Sequence, residues 1–413
     1  MANIDEEGVA VNAEAHAKSD PLSRHDSSID PDSPPPSDRP QWISHLEDHG
    51  HLPDSISVTD VDRYTHLNQV LDSSPTLSHE VRHLTIKGSG NFLDMARRLA
   101  PLHSLTVDYP DYKMDSKDVP IAAANSTNNL PQVYSLTLLG DATPSYIWND
   151  LQQIGGVAEV SVQAKYCEDA DISHMPAHWP VRTLTLSGIC GSVGSPHLLN
   201  ITALKLDYCC SVQFGDVPPT ETARLRDLII VENDAMDHFI MMSNKTCLTR
   251  DLRSLRIQST DENDFCHEYD FEDFARALEQ SPSITSLDLE VFDSEINLDL
   301  EEGPRFPDLP AFLPPNLHTL RFVGPPWLST QMDRWMECAA DSRWLPNLTS
   351  VTFGLIARGS RDKNPEVNGA PLRAETVRAA QEASARFLQQ LRAHRPSVVI
   401  HEGWNASTPA LPQ

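Results

Sequence analysis

Apolar residues recur along this chain at i, i+3 and i+5. Val181, Leu184 and Leu186 of V-R-T-L-T-L are the plainest instance. The same trio returns as Val81/Leu84/Ile86, Leu102/Leu105/Val107, Val133/Leu136/Leu138, Val157/Val160/Val162 and Ile201/Leu204/Leu206. Beyond these stand Leu225/Leu228/Ile230, Leu252/Leu255/Ile257, Ile284/Leu287/Leu289, Leu317/Leu320/Phe322 and Leu348/Val351/Phe353. The last two members of each trio are alternate residues of a short strand facing one core, and the first marks where the chain turns into that strand. A single unit cannot bury its own apolar face, so stacked units are expected to form one parallel sheet.

The segments between units vary, with middle anchors spaced about 20 to 33 residues apart, close to the leucine-rich-repeat range. The longer segments carry helical periodicity at 92–99, 146–154, 236–242, 271–278 and 332–340, and the shorter ones read as irregular chain. Ahead of the units, residues 41–77 read as a cap containing a helix over 61–71. Behind them, a polar loop at 357–370 leads to a long amphipathic helix over 374–392 and a final strand at 397–400, which together cap the last unit within 371–403. The expected fold is α/β, a leucine-rich-repeat-like solenoid over 78–356 with a parallel sheet on its concave face and helices or irregular segments behind.

Composition adds the ends and the surroundings. Residues 1–40 hold Pro34-Pro35-Pro36 and many acidic and hydroxyl residues but almost no large apolar ones, which predicts a disordered acidic tail; residues 404–413 read as a flexible tail. The chain has 32 Lys and Arg against 59 Asp and Glu, a net charge of -27 that opposes nucleic acid and anionic membranes. No signal-peptide pattern and no membrane-length apolar run is present, so a cytoplasmic or nuclear protein is expected. Seven cysteines lack a C-x-x-C pair, and adjacent Cys209 and Cys210 read as packed thiols in a reducing compartment.

The run H-L-N-Q-V-L-D-S-S-P-T-L-S-H-E-V-R-H-L-T-I over 66–86, followed by L-H-S-L-T-V and V-R-T-L-T-L, resembles the leucine-rich-repeat region of fungal F-box-type proteins, over about residues 60–356. The resemblance implies a curved solenoid that recruits a protein target as the substrate receptor of a cullin-type ubiquitin ligase. An F-box itself is not evident, because Leu52-Pro53 is the one Leu-Pro dipeptide near the start and too little chain follows it before the units begin. Whether a ligase adaptor binds is left open. The ninth position of the repeats is Cys209 or Asn233 in two units, as in regular repeats, but Ser89, Pro110, Lys165, Ile189 or Pro325 in others, so an irregular solenoid is expected.

Candidate chemistry lies on the residue between the strand anchors, which must face away from the core. It is Thr85, Thr106, Thr137, Ser161 and Thr185 in the early units, then Lys205, Ile229, Arg256, Asp288 and Arg321, and finally Thr352. With Asp207, Asp227, Gln258 and Glu290 beside them, Lys205, Arg256, Asp288 and Arg321 are the expected partner-binding residues. The plain alternative is that Thr suits strands and charges merely solvate an exposed sheet. Catalytic, cofactor and metal residues are not expected. The acidic stretches 261–273 and 288–302 lack calcium-loop spacing, and Gly188, Gly191 and Gly194 read as a turn between units. His45, His49 and His51 lack a metal frame, no G-x-S-x-G occurs, and Trp327, Trp335 and Trp344 read as core. The function expected is protein binding without catalysis. A decayed receptor and, more remotely, a metal-dependent hydrolase using the acidic stretches are the alternatives.

Overall fold

The computed structural model describes residues 40–87, 92–99, 101–109, 131–140, 145–169, 172–209, 212–215, 223–232, 235–245, 248–259, 271–291, 306–356 and 374–401. The expectations for the N-terminal tail, for most of both acidic stretches, for the 357–370 loop and for the last ten residues lie outside them.

Every apolar trio becomes a strand with its entry. The anchors of V-R-T-L-T-L are fully buried, and across all eleven units no anchor exceeds 4% exposure. The strands are β2 (His83–Lys87), β3 (Leu102–Tyr109), β4 (Val133–Gly140), β5 (Glu159–Asp169), β6 (Thr183–Val193) and β7 (Ala203–Asp207). They continue as β9 (Asp227–Glu232), β10 (Ser254–Ser259), β11 (Ser286–Glu290), β12 (Thr319–Gly324) and β13 (Ser350–Leu355). Each pairs in parallel with its neighbour, and spatial order follows chain order. The register keeps middle anchors opposite one another, as in Leu184↔Leu204 and Leu204↔Leu228. The protein is therefore an α/β structure built on a parallel sheet that has 14 strands among the described residues.

One further strand was hidden from the spacing. β1 (Ser55–Val58) pairs in parallel with β2, and it buries Leu52, Ile56 and Val58 as the other units bury their trios. Leu52 and Ile56 are four residues apart instead of three, so the motif is broken by one inserted residue. At the other end β14 (Val399–Ile400) joins β13, in the position expected for a closing strand. The short β8 (Val212–Phe214) pairs with the far half of β6.

Among the described residues, seven of the helices fall where the periodicity placed them, and two, over 41–49 and 195–198, were not anticipated. The helices are α1 (Gln41–His49), α2 (Val61–Ser73), α3 (Phe92–Arg98), α4 (Ser145–Leu151), the single turn α5 (Ser195–Leu198), α6 (Ala235–Lys245), α7 (Phe271–Glu279), α8 (Asp333–Ala340) and α9 (Ala374–His394). α2 starts where Asp60 accepts a hydrogen bond from the Arg63 amide at 2.7 Å, satisfying one of the orphan donors of the first turn. Rings of α8 and α9 meet rings of the sheet on the anchor face. Trp335 lies 4.7 Å from Phe322, 5.0 Å from Phe353 and 5.7 Å from Phe387 between centroids. The tryptophan segment is core, as expected, with Trp335 fully buried and the Trp344 indole N–H donating to the Pro310 carbonyl at 2.8 Å. Among the described residues no helix is long and apolar enough to cross a membrane.

Two sequence expectations are corrected. Gly188 and Gly191 are not a turn between units: both lie inside β6, where the pairing with β5 shifts register. Gly188 has φ +65°, and a Cβ there would sit 2.4 Å from the Ala164 carbonyl oxygen, so only glycine lets β6 pass so close to β5. Gly188→Ala is expected to destabilise the fold by about 1–3 kcal/mol, read from urea unfolding; a loss below about 0.5 kcal/mol would refute the close approach. Of the thiol reading, Cys210 lies outside the described residues, and the expectation of no disulfides changes. Cys209 is a buried free thiol, but Cys190 takes part in a disulfide.

Candidate functional site

Because strand side chains alternate, fixing the anchors on one face places the residue between them on the other. The register then lines these residues up across strands: Thr185↔Lys205, Lys205↔Ile229, Ile229↔Arg256, Arg256↔Asp288, Asp288↔Arg321 and Arg321↔Thr352. A second row runs parallel to it through Asp207, Val231, Gln258, Glu290 and Val323. Asp227 stands one step to the other side, opposite Ala203 and Ser254. The eight residues named from the sequence therefore share one face, over β7 to β12.

The structure adds that their charges close on one another. Arg321 reaches across to β11 with both terminal guanidinium nitrogens, Nη1 donating to Asp288 Oδ1 at 2.5 Å and Nη2 to Glu290 Oε2 at 2.9 Å. On the other side of Asp288, Arg256 Nε faces Oδ2 at 3.6 Å, beyond hydrogen-bond reach, while its Nη2 donates to Gln258 Oε1 at 3.1 Å. Lys205 pairs within its own strand with Asp207 at 2.7 Å. Two arginines against two carboxylates leave the β10–β12 patch neutral, with Asp288 shared between cations.

Burial pushes the Asp288 carboxyl above its ordinary value, and Arg321 and Arg256 counter only part of that. Burial opposes the charge on Arg321 too, but Asp288 and Glu290 outweigh it and raise the guanidinium. Asp227 is likewise raised by burial, against the pull of Arg253. The network is thus partly withdrawn from water, where a charge-assisted pair has more value than on an open surface.

In sequence comparisons the chain matches no protein-family model and no curated protein.

Other candidates sort by geometry. The His45, His49 and His51 rings do meet, with centroids 4.4, 4.9 and 5.9 Å apart at the end of α1, although among the described residues no group of three or more His, Cys, Asp or Glu is arranged to hold a metal ion. Burial pushes the Cys209 thiol up to about 11, and its Sγ donates to the Leu186 carbonyl at 3.3 Å, so at neutral pH it is a protonated packing group and not a nucleophile. A groove between α7, residues Phe306–Ala311 and α8 is floored by Phe271 and Phe312, and its arginines, Arg276 and Arg334, pair with Asp273 and Glu337.

One feature escaped the sequence reading. Glu232 is the third inward residue of β9, after Leu228 and Ile230, and is 2% exposed. Its carboxylate lies against the imidazole of His238 of α6, itself buried, and pairs with it as an ion when that histidine is protonated. The alternation of D-L-I-I-V-E assigns Glu232 to the core side, and a carboxylate there signals a buried partner.

Proposed function

We propose that this chain is a leucine-rich-repeat-like solenoid that binds a protein partner on the open, concave face of its sheet over β7 to β12, and that it performs no catalysis itself. The observation that carries this reading is the pairing of register with exposure. One face of the sheet is sealed by anchors, and the other presents an aligned row, polar except at Ile229, that stays half-buried in every unit from Thr85 to Thr352. A ladder of side chains held by backbone pairing on both sides is preorganised, so a partner meets it without a large ordering cost. The internally paired arginines and carboxylates offer a fixed pattern of alternating sign, which favours specificity over raw affinity. The role fits the substrate-recognition part of F-box-type receptors, with adaptor docking as a separate property.

A charge-swapped network provides the test. Arg256→Glu and Arg321→Glu combined with Asp288→Lys and Glu290→Lys keep every pair but invert each sign. Affinity capture from source cells, read by mass spectrometry, is expected to recover a specific protein with the wild-type chain and to lose it by at least about tenfold with the swapped chain, at unchanged thermal stability. Equal recovery by both chains would refute the assignment of this face.

A further inference from the structure

The residue following the first anchor of each unit forms a third column, at the N-terminal edge of the sheet. Its carbonyls stitch the array together by accepting two amides of the next unit. Arg82 accepts from His103 and Ser104 at 2.8 and 3.0 Å, and Arg182 from Thr202 and Ala203 at 2.7 and 3.1 Å. Arg226 does the same for Arg253 and Ser254, and Arg253 for Thr285 and Ser286. These bonds hold the side chains of the column in line at the strand spacing.

Its composition departs from the rest of the chain. Of the eleven positions from Arg82 to Thr349, four are arginine, His103 and His318 add two imidazoles, and none is a carboxylate, although Asp54 holds the same place before β1, in a chain with 59 acidic residues against 32 basic ones. Arg82, Arg182 and Arg253 are exposed, and Arg82 and Arg182 are in no ion pair among the described residues. Arg226 is half-buried and donates to the Asp251 carbonyl at 2.8 Å. Acidic groups nearby are Asp54, directly before β1 and next to Arg82 in the column, and Glu159 and Asp227 in the adjoining row, of which Asp227 acts on Arg253. The open face spends its charges internally, whereas this edge has guanidinium groups left for a partner.

We propose that the N-terminal edge of the sheet docks an acidic, extended peptide segment of a partner protein. β2 and β6 are four strand steps apart, about 19 Å, which an extended segment of roughly six residues spans. Guanidinium groups about 19 Å apart can each pair with a carboxylate near one end of such a segment. Uncharged positions such as Ala158 and Thr202 interrupt the column, and a net charge of -27 surrounds it, so a short carboxylate-bearing segment suits it better than the unbroken charge of a nucleic acid. This site lies off the rows invoked above and does not depend on that reading.

The probe is a fluorescein-labelled peptide of roughly ten residues alternating Glu and Ser, titrated against the full chain by fluorescence anisotropy. Wild-type protein is expected to bind it in a salt-sensitive way, the Arg82→Glu/Arg182→Glu/Arg253→Glu protein about tenfold or more weaker, and the corresponding triple lysine protein within about threefold of wild type. The charge-swapped open-face protein should bind as wild type does, which separates this site from the other. Should the triple glutamate protein not fold by circular dichroism, Arg82→Ala/Arg182→Ala, at two exposed positions outside ion pairs, carries the same expectation of weakened binding. Binding no stronger than that of a neutral Gln-Ser peptide, binding indifferent to these substitutions, or preference for a single-stranded RNA of similar length would each overturn the proposal.

Discussion

Trp335→Ala is expected to lower the unfolding free energy by about 3–5 kcal/mol, the range for truncating a fully buried tryptophan. The ring belongs to α8, yet it touches Phe322 of β12, Phe353 of β13 and Phe387 of α9, so it joins the sheet to the closing helix. Phe353 and Phe387 pack directly as well, at 4.2 Å, and the Leu355 amide donates to Ser384 Oγ at 3.0 Å. Arg395, just past α9, donates to the carbonyls of Trp344 and Leu345. In an array whose units contact only their neighbours, the damage should stay local. Hydrogen exchange should accelerate in α9 and β13 before it does so in β2 to β6. A loss under about 1 kcal/mol, or uniform acceleration along the chain, would contradict this account of the cap.

Glu232→Ala should cost a similar amount, about 3–5 kcal/mol, because it strands His238 inside the protein without its carboxylate. The opposite result is expected when both are replaced. Glu232→Leu with His238→Leu removes the desolvation of two ionisable groups together, and the double variant should recover most of the loss. Urea unfolding of Glu232→Leu, His238→Leu and the double variant gives the coupling directly. If the double variant is as unstable as the sum of the singles, the pair is not a coupled unit.

Much of the architecture could be read before any coordinates, and the exceptions have physical reasons. Val181, Leu184 and Leu186 were identifiable because burial on one side of a strand and at its entry imposes i, i+3, i+5, and ten further units obey it. β1 was not, because one inserted residue between Leu52 and Ile56 breaks the spacing while leaving the backbone pairing intact; Asp54 accepts the Arg82 and His83 amides just as Arg82 accepts those of the next unit. The length of β6 was also hidden. Gly188 and Gly191 signal turns in isolation, and only the close approach of Ala164 shows that they let a strand bulge and continue.

The open face was partly legible. That Lys205, Arg256, Asp288 and Arg321 share a face follows from alternation alone. Their pairing does not, since Arg321 and its carboxylates are 33 and 31 residues apart in the chain and meet only through the register of β11 with β12. The N-terminal column was visible as the second letter of V-R-T-L-T-L and L-R-S-L-R-I. It gains meaning once the register shows those arginines to stand in one column.

The central claim, a protein partner on the open face, is tested most directly by site-specific photo-crosslinking. A benzoylphenylalanine placed at Ile229, midway between Lys205 and Arg256 in the same row, should give a covalent adduct with a specific protein from source cells. The same group at Val61, 70% exposed on α2 and away from that row, should give none. Adduct formation at Val61 alone, or at neither position while the folded protein is present, would contradict the claim.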